Sequence, residues 1–140
     1  MKRITAYVLA LVLTCSCAFS VARAYYADVP GSSALAGEVE KAVRYGLMNG
    51  YSQAQFGYSD TMTRAQFLVV LTRMLGWQTP SMEEADADIT PAMALPEELS
   101  SQYRYAIACA AAHDVIEKTE PFRPNSPATR AEMAELLVRA

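Results

Sequence analysis

Apolar residues recur at helical spacing in four stretches of the chain. Leu35, Val39, Ala42, Val43 and Leu47 fall on one helix face, and Tyr103, Ile107, Ala110 and Ala111 on another. Phe67, Val70, Leu71 and Met74 form a third stripe, matched in a fourth by Met133, Leu136, Leu137 and Ala140. The polar spacer inside the first pair holds Gly46, Asn49, Gly50 and Gly57. The spacer inside the second pair holds Pro121, Pro124, Asn125 and Pro127, and both read as loops. Gly76 is placed to end the third helix, with Trp77 folding back as the apolar contact of its cap. No alternating run is long enough to argue for a sheet. Two helix-loop-helix hairpins must bury their stripes against each other, which predicts an all-α fold.

The two hairpins are copies of one unit. Thr63-Arg64-Ala65-Gln66 returns as Thr129-Arg130-Ala131-Glu132, Leu71-Thr72-Arg73 as Leu137-Val138-Arg139, and Phe56 as Phe122, all 66 residues on. Upstream, Ala27-Asp28-Val29 returns as Ala87-Asp88-Ile89 at an offset of 60. These anchors divide the chain into a first repeat over 25–78, a connector over 79–86 with Pro80 as its breaker, and a second repeat over 87–140. Thr63 with Gln66, and Thr129 with Glu132, have the spacing of a capping box, so the second helix of each copy starts at the threonine. Arg64 and Arg130 then sit in the first turn, where the positive end of the helix dipole disfavours a cation. Two readings account for them equally: an anionic partner, or a local carboxylate such as Asp60 in the first copy.

The start of the chain has a different pattern. Basic Lys2 and Arg3 precede a mostly apolar run from Ile4 to Phe19, and Ala22 and Ala24 flank a cleavage position. This is the layout of a secretory signal peptide over 1–24, and its removal would leave 116 of the 140 residues. Lys2, Arg3 and Arg23 would leave with it, reducing 12 basic residues to nine against 15 acids. That acidic balance argues against nucleic acid and anionic membranes as partners. No other apolar run is long enough to span a bilayer, so no membrane contact is expected after cleavage. Cys15 and Cys17 fall in the signal and match a lipid-attachment site poorly. Cys109 remains alone, excluding an intramolecular disulfide, and is expected as a small buried residue.

Candidate chemistry is sparse. His113 is the one histidine, so neither a His-based metal cluster nor a Ser-His-Asp triad can be assembled. Asp86 and Asp88 lack the glycine and distal glutamate of a calcium loop. No nucleophile, base and orienting group stand out together, so no catalytic residue, metal or cofactor is predicted. Tyr51 and Tyr58 lie in a glycine-containing loop, where they either pack over helix ends or present flat faces to a ligand.

The order of motifs resembles the S-layer homology (SLH) domain of bacterial cell-surface proteins. The first copy carries Ala27-Asp28-Val29, Gly46-Leu47-Met48-Asn49-Gly50-Tyr51, Phe56 and Thr63-Arg64-Ala65-Gln66. The second carries Ala87-Asp88-Ile89, Phe122-Arg123-Pro124-Asn125 and Thr129-Arg130-Ala131-Glu132. The resemblance implies helical repeats, usually three, around a pseudo-threefold axis, which two repeats would leave as an incomplete bundle. It implies a non-catalytic exported protein held at the cell wall by a secondary cell-wall polysaccharide with an acidic, often pyruvylated sugar. It implies a glycan groove in which Arg64 and Arg130 meet the anion and Gly50 and Tyr51 shape the wall, guanidinium forks being suited to carboxylates. Three features depart from the family pattern. Leu35 and Tyr103 stand near the family's groove tryptophan, and the second copy lacks the Gly-x-x-x-Gly-Tyr loop. Tyr58 also replaces a proline that the second copy keeps as Pro124. The alternative is a module with degenerate grooves that associates with itself or with another SLH protein. In that case exposed apolar helix faces are expected, unless the stretch from Ile89 to Leu99, with Met93 and Leu95, folds over them.

Overall fold

The computed structural model describes residues 26–77 and 87–140. The signal segment over 1–24 and the connector over 79–86 lie outside the described residues. Among the described residues four α-helices form: α1 (Ala36–Arg44), α2 (Arg64–Leu75), α3 (Ser101–Ala112) and α4 (Arg130–Arg139), with a 3-10 turn at Pro91–Met93. The described residues hold no strand; one isolated bridge joins Thr63 to Pro127. The fold is all-α, as the spacing of apolar residues requires.

Local chemistry sets the helix ends. The Thr63 side chain accepts from the Gln66 amide at 3.3 Å, while Gln66 Oε1 accepts from the Thr63 amide at 2.8 Å. Thr129 and Glu132 repeat this box at 3.2 and 2.8 Å. Gly76 ends α2 at φ 65°, and the Trp77 amide returns to the Thr72 carbonyl at 3.1 Å. Trp77 thus folds back onto the core and stacks on His113 with ring centroids 4.2 Å apart.

The two copies leave their first helices in the same way despite different residues. Gly46 after α1 has φ 69° and Asp114 after α3 has φ 57°. The next amides, Leu47 and Val115, both close onto the fifth carbonyl back, those of Ala42 and Ala110, at 2.9 Å. The second copy therefore keeps the turn without the glycine, because aspartate is one of the few residues that enters this left-handed region readily.

The core lies at the joint between repeats, where α2 packs on α3. Leu68, Leu71, Ile107 and Val115 are fully buried there. The buried face of α2 differs from the predicted stripe: Ala65, Leu68, Val69, Leu71 and Thr72 are buried, whereas Met74 is 51% exposed and Phe67 and Val70 are half-buried. The reason is that α2 faces the next repeat's α3 more than its own loop, which turns its inner face by about one position. The outer helices contribute little. No residue of α1 is buried, and Leu136 is the one buried residue of α4. The stretch before α3 does fold over the core: Met93 is fully buried in it, and Ile89, Leu95 and Leu99 pack against the same cluster.

The loop of the second repeat seats on the N-terminus of α2. The amides of Arg64 and Ala65, which have no partner within their helix, donate to the carbonyls of Ser126 and Pro124 at 2.9 and 3.0 Å. The Ala128 amide returns to the Met62 carbonyl at 3.0 Å.

Candidate functional site

A cleft of about 310 Å³ opens between the loop of the first repeat, α2 and the start of α3. Gly50, Tyr51 and Asp60 come from the loop, Gln66 and Arg73 from α2, and Tyr103 from α3. The cleft therefore spans both repeats.

Three contacts shape the loop wall. A Cβ on Gly50 would stand 2.5 Å from Tyr26 Cε1 and 2.6 Å from the Gln55 carbonyl, so only glycine lets these groups close. The Tyr26 ring leans on Phe56, with centroids 5.3 Å apart. Asp28 then anchors the far side, its carboxylate accepting from the amides of Phe56, Gly57 and Tyr58 at 2.8, 2.6 and 3.0 Å. These bonds, that from Phe56 foremost, hold the Asp28 carboxyl below its ordinary pKa. Tyr58 shares a hydrogen bond with Ser33 at 2.7 Å, so it packs within the repeat. Tyr51 is 57% exposed, its ring lying beside Gly57, and it remains open to a ligand.

Arg73 crosses the cleft and donates from Nη1 to the Leu47 carbonyl at 3.3 Å. Among the described residues it has no carboxylate partner, which leaves further guanidinium donors to serve a ligand. With Asp60 as acceptor, Gln66 as donor and acceptor, and two tyrosines, the lining suits a polyhydroxylated molecule carrying a negative charge.

The remaining site candidates lie elsewhere. Arg64 sits at the joint between repeats, Nη1 3.2 Å from Glu132 Oε1 and its guanidinium 4.8 Å from the centre of the Phe122 ring. Its carboxylate is thus neither Asp60 nor local, but belongs to the other repeat. The buried Nε of Arg64 has no hydrogen-bond partner among the described residues. Arg130 is exposed, with no ion pair among the described residues. Glu132 serves both the capping box and Arg64, and its pKa is depressed, mainly by the Thr129 amide.

The second repeat builds its loop differently. Pro124 takes the place of Tyr58 and has no amide to donate, while the Phe122 amide goes to the Met93 carbonyl at 3.0 Å. Asp88 instead pairs with Lys118 at 2.8 Å, and this bond raises the Lys118 pKa. Cys109 is buried in α3, as expected. Arg73 and the loop clamp of Asp28 are not among the candidates that the sequence singles out. The repetition of Arg73 as Arg139, and of Asp28 as Asp88, was the available signal.

The fold and cleft define a small helical-repeat binding module. The S-layer homology domain model matches residues 25–68 and 99–134, together more than half of the chain. The chain belongs to that family and carries two of its repeats. Neither the curated proteins nor the solved structures yielded a match. SLH domains are binding modules that attach to the cell surface through cell-wall polymers. No helix of the described residues is long and apolar enough to cross a membrane.

Proposed function

We propose that this chain is an exported, non-catalytic protein that binds an acidic cell-wall polysaccharide, a pyruvylated polymer among the candidates, through the cleft between the first repeat's loop, α2 and the start of α3. The observation that carries this reading is the meeting of Arg73 with Gly50, Tyr51 and Tyr103 around one cleft. Arg73 supplies a fork for a sugar carboxylate, the tyrosines supply flat faces, and Asp60 accepts from hydroxyls. The volume of about 310 Å³ lies at the small end of the roughly 300–1,000 Å³ of known ligand pockets, which suits a short glycan segment. Arg64, already paired with Glu132, chiefly holds the repeats together, and Arg130 offers a second, peripheral cation.

Co-sedimentation with purified wall sacculi tests the reading. The protein should pellet with sacculi that retain their secondary polymer and stay in solution when that polymer has been extracted. Equal pelleting with both would place the affinity in peptidoglycan and overturn the assignment.

A further inference from the structure

The joint between the repeats is a contact between two copies of one unit, and each side of it has an unfilled counterpart. In the joint, α2 buries Ala65, Leu68, Val69, Leu71 and Thr72. Sixty-six residues on, the same positions of α4 are Ala131, Ala134, Glu135, Leu137 and Val138, all exposed, Leu137 and Val138 by 50% and 87%, with Glu135 held by Arg139 at 2.8 Å. The amides of Arg64 and Ala65 are taken by the second loop, whereas those of Arg130 and Ala131 make no backbone hydrogen bond among the described residues. On the receiving side, α3 is buried almost throughout its second half, but its counterpart α1 buries nothing.

Charge identifies what fits. The loop segment equivalent to 122–128 is 56–62, and Asp60 stands where Ser126 receives the Arg64 amide. Asp60 is exposed, and among the described residues neither it nor Arg130 is in an ion pair. The molecule thus carries an exposed cation on its α4 end and an exposed carboxylate on its α1 end; α1 itself exposes Glu38, Glu40, Lys41 and Arg44, with Val39, Ala42 and Val43 half-buried between them.

We propose that a second copy of this chain docks head to tail, seating its α4 on α1 and the loop over 56–62 of the first copy, with its Arg130 against Asp60. The contact follows the α2–α3 joint within each molecule, except that Gln66, the counterpart of Glu132, carries no charge and Asp60, at the position of Ser126, supplies the carboxylate instead. Such a contact is heterologous, so it continues into a ring or a chain of molecules. Phe56 and Gln66, the counterparts of Phe122 and Glu132, both line the cleft, so the incoming Arg130 adds a cation at its edge. That last consequence rests on the glycan-binding reading; the docking itself does not.

Light scattering on the purified protein, over a concentration series at low salt and with no glycan present, tests the docking separately from ligand binding. The weight-average mass should rise with concentration. Arg130→Glu and Asp60→Arg should each lower the association constant tenfold or more. An equimolar mixture of those two variants should regain association, because each supplies the charge the other lacks. Val138→Asp, on the apolar face, should weaken association to a similar degree. A monomer at every concentration would overturn the proposal and leave these faces to another repeat or protein. Association unaffected by the charge reversals, or not restored in the mixture, would also overturn it.

Discussion

Arg64 at the first position of α2 and Glu132 at the third position of α4 join the two repeats, Nη1 to Oε1 at 3.2 Å. Glu132 spends its other oxygen on the Thr129 amide, so a single side chain closes a capping box and ties one repeat to the other. The Phe122 ring beneath the guanidinium adds a cation–π contact. Arg64→Ala should therefore cost about 1 kcal/mol of stability, combining that contact with a partly exposed ion pair. Glu132→Gln should cost less, because Gln66 already closes the equivalent box in the first repeat. Urea denaturation of the three proteins gives the comparison; equal losses for both variants would mean that the charge dominates.

Thr63→Ala and Thr129→Ala each remove a capping oxygen and should each lose about 1 kcal/mol of helix stability. Their consequences should differ in kind. The start of α2 lies in the joint, so its loss should lower the midpoint of global unfolding. The start of α4 lies outside the core, with Leu136 as its buried anchor, so its loss should appear as local fraying. Amide hydrogen exchange resolves the two: faster exchange confined to 130–139 in Thr129→Ala, and spread through α2 and α3 in Thr63→Ala.

Gly50 and Gly76 should respond to alanine for different reasons. Gly50→Ala places a methyl within 2.5 Å of Tyr26 and 2.6 Å of a backbone oxygen, an overpacking that costs about 1–3 kcal/mol and displaces the cleft wall. Gly76→Ala meets no atom within 4 Å, so its cost of about 1–2 kcal/mol comes from the left-handed backbone alone. Wall sedimentation under conditions where both remain folded should fall for Gly50→Ala and stay unchanged for Gly76→Ala.

Acid should loosen the first loop before it unfolds the helices. The Asp28 pKa is held below its ordinary value, so the loop clamp is fully present above about pH 4 and is lost as pH falls through the depressed folded value. Glu132 acts in the same direction. Lys118, raised by Asp88, contributes below about pH 10 and loses its contribution as pH rises through its folded value. Asp28→Asn should lower the melting temperature at pH 7 and flatten its decline below pH 4. An unchanged acid limb in the variant would show that Asp28 is not the titrating clamp.

The sequence made the helices legible because a capping box, a terminal glycine and a 66-residue offset are all local signals. The core was harder to place. The stripe from Phe67 to Met74 marks an apolar face, but whether α2 turns Leu68 or Phe67 inward depends on α3, some 35 residues downstream. The site was half legible for the same reason. Gly50 and Tyr51 line the cleft from a motif visible in the sequence. Arg73 enters from the third turn of a helix, and Arg64 is diverted by a glutamate from the other repeat. Nothing in the spacing of Thr63-Arg64-Ala65-Gln66 announces that partner.

Chemical-shift mapping by NMR, with a purified acidic fragment of the wall polymer added in steps, tests the cleft most directly. The amides of Gly50, Tyr51 and Gly57 and the side-chain N–H of Arg73 should shift together and saturate at one ligand concentration. Reducing the sugar carboxylate to an alcohol should abolish the Arg73 shift and weaken binding about tenfold or more, as expected for losing a charge-assisted hydrogen bond of about 1.5–3 kcal/mol. Saturable binding that shifts residues away from these, or binding indifferent to the carboxylate, would contradict the account.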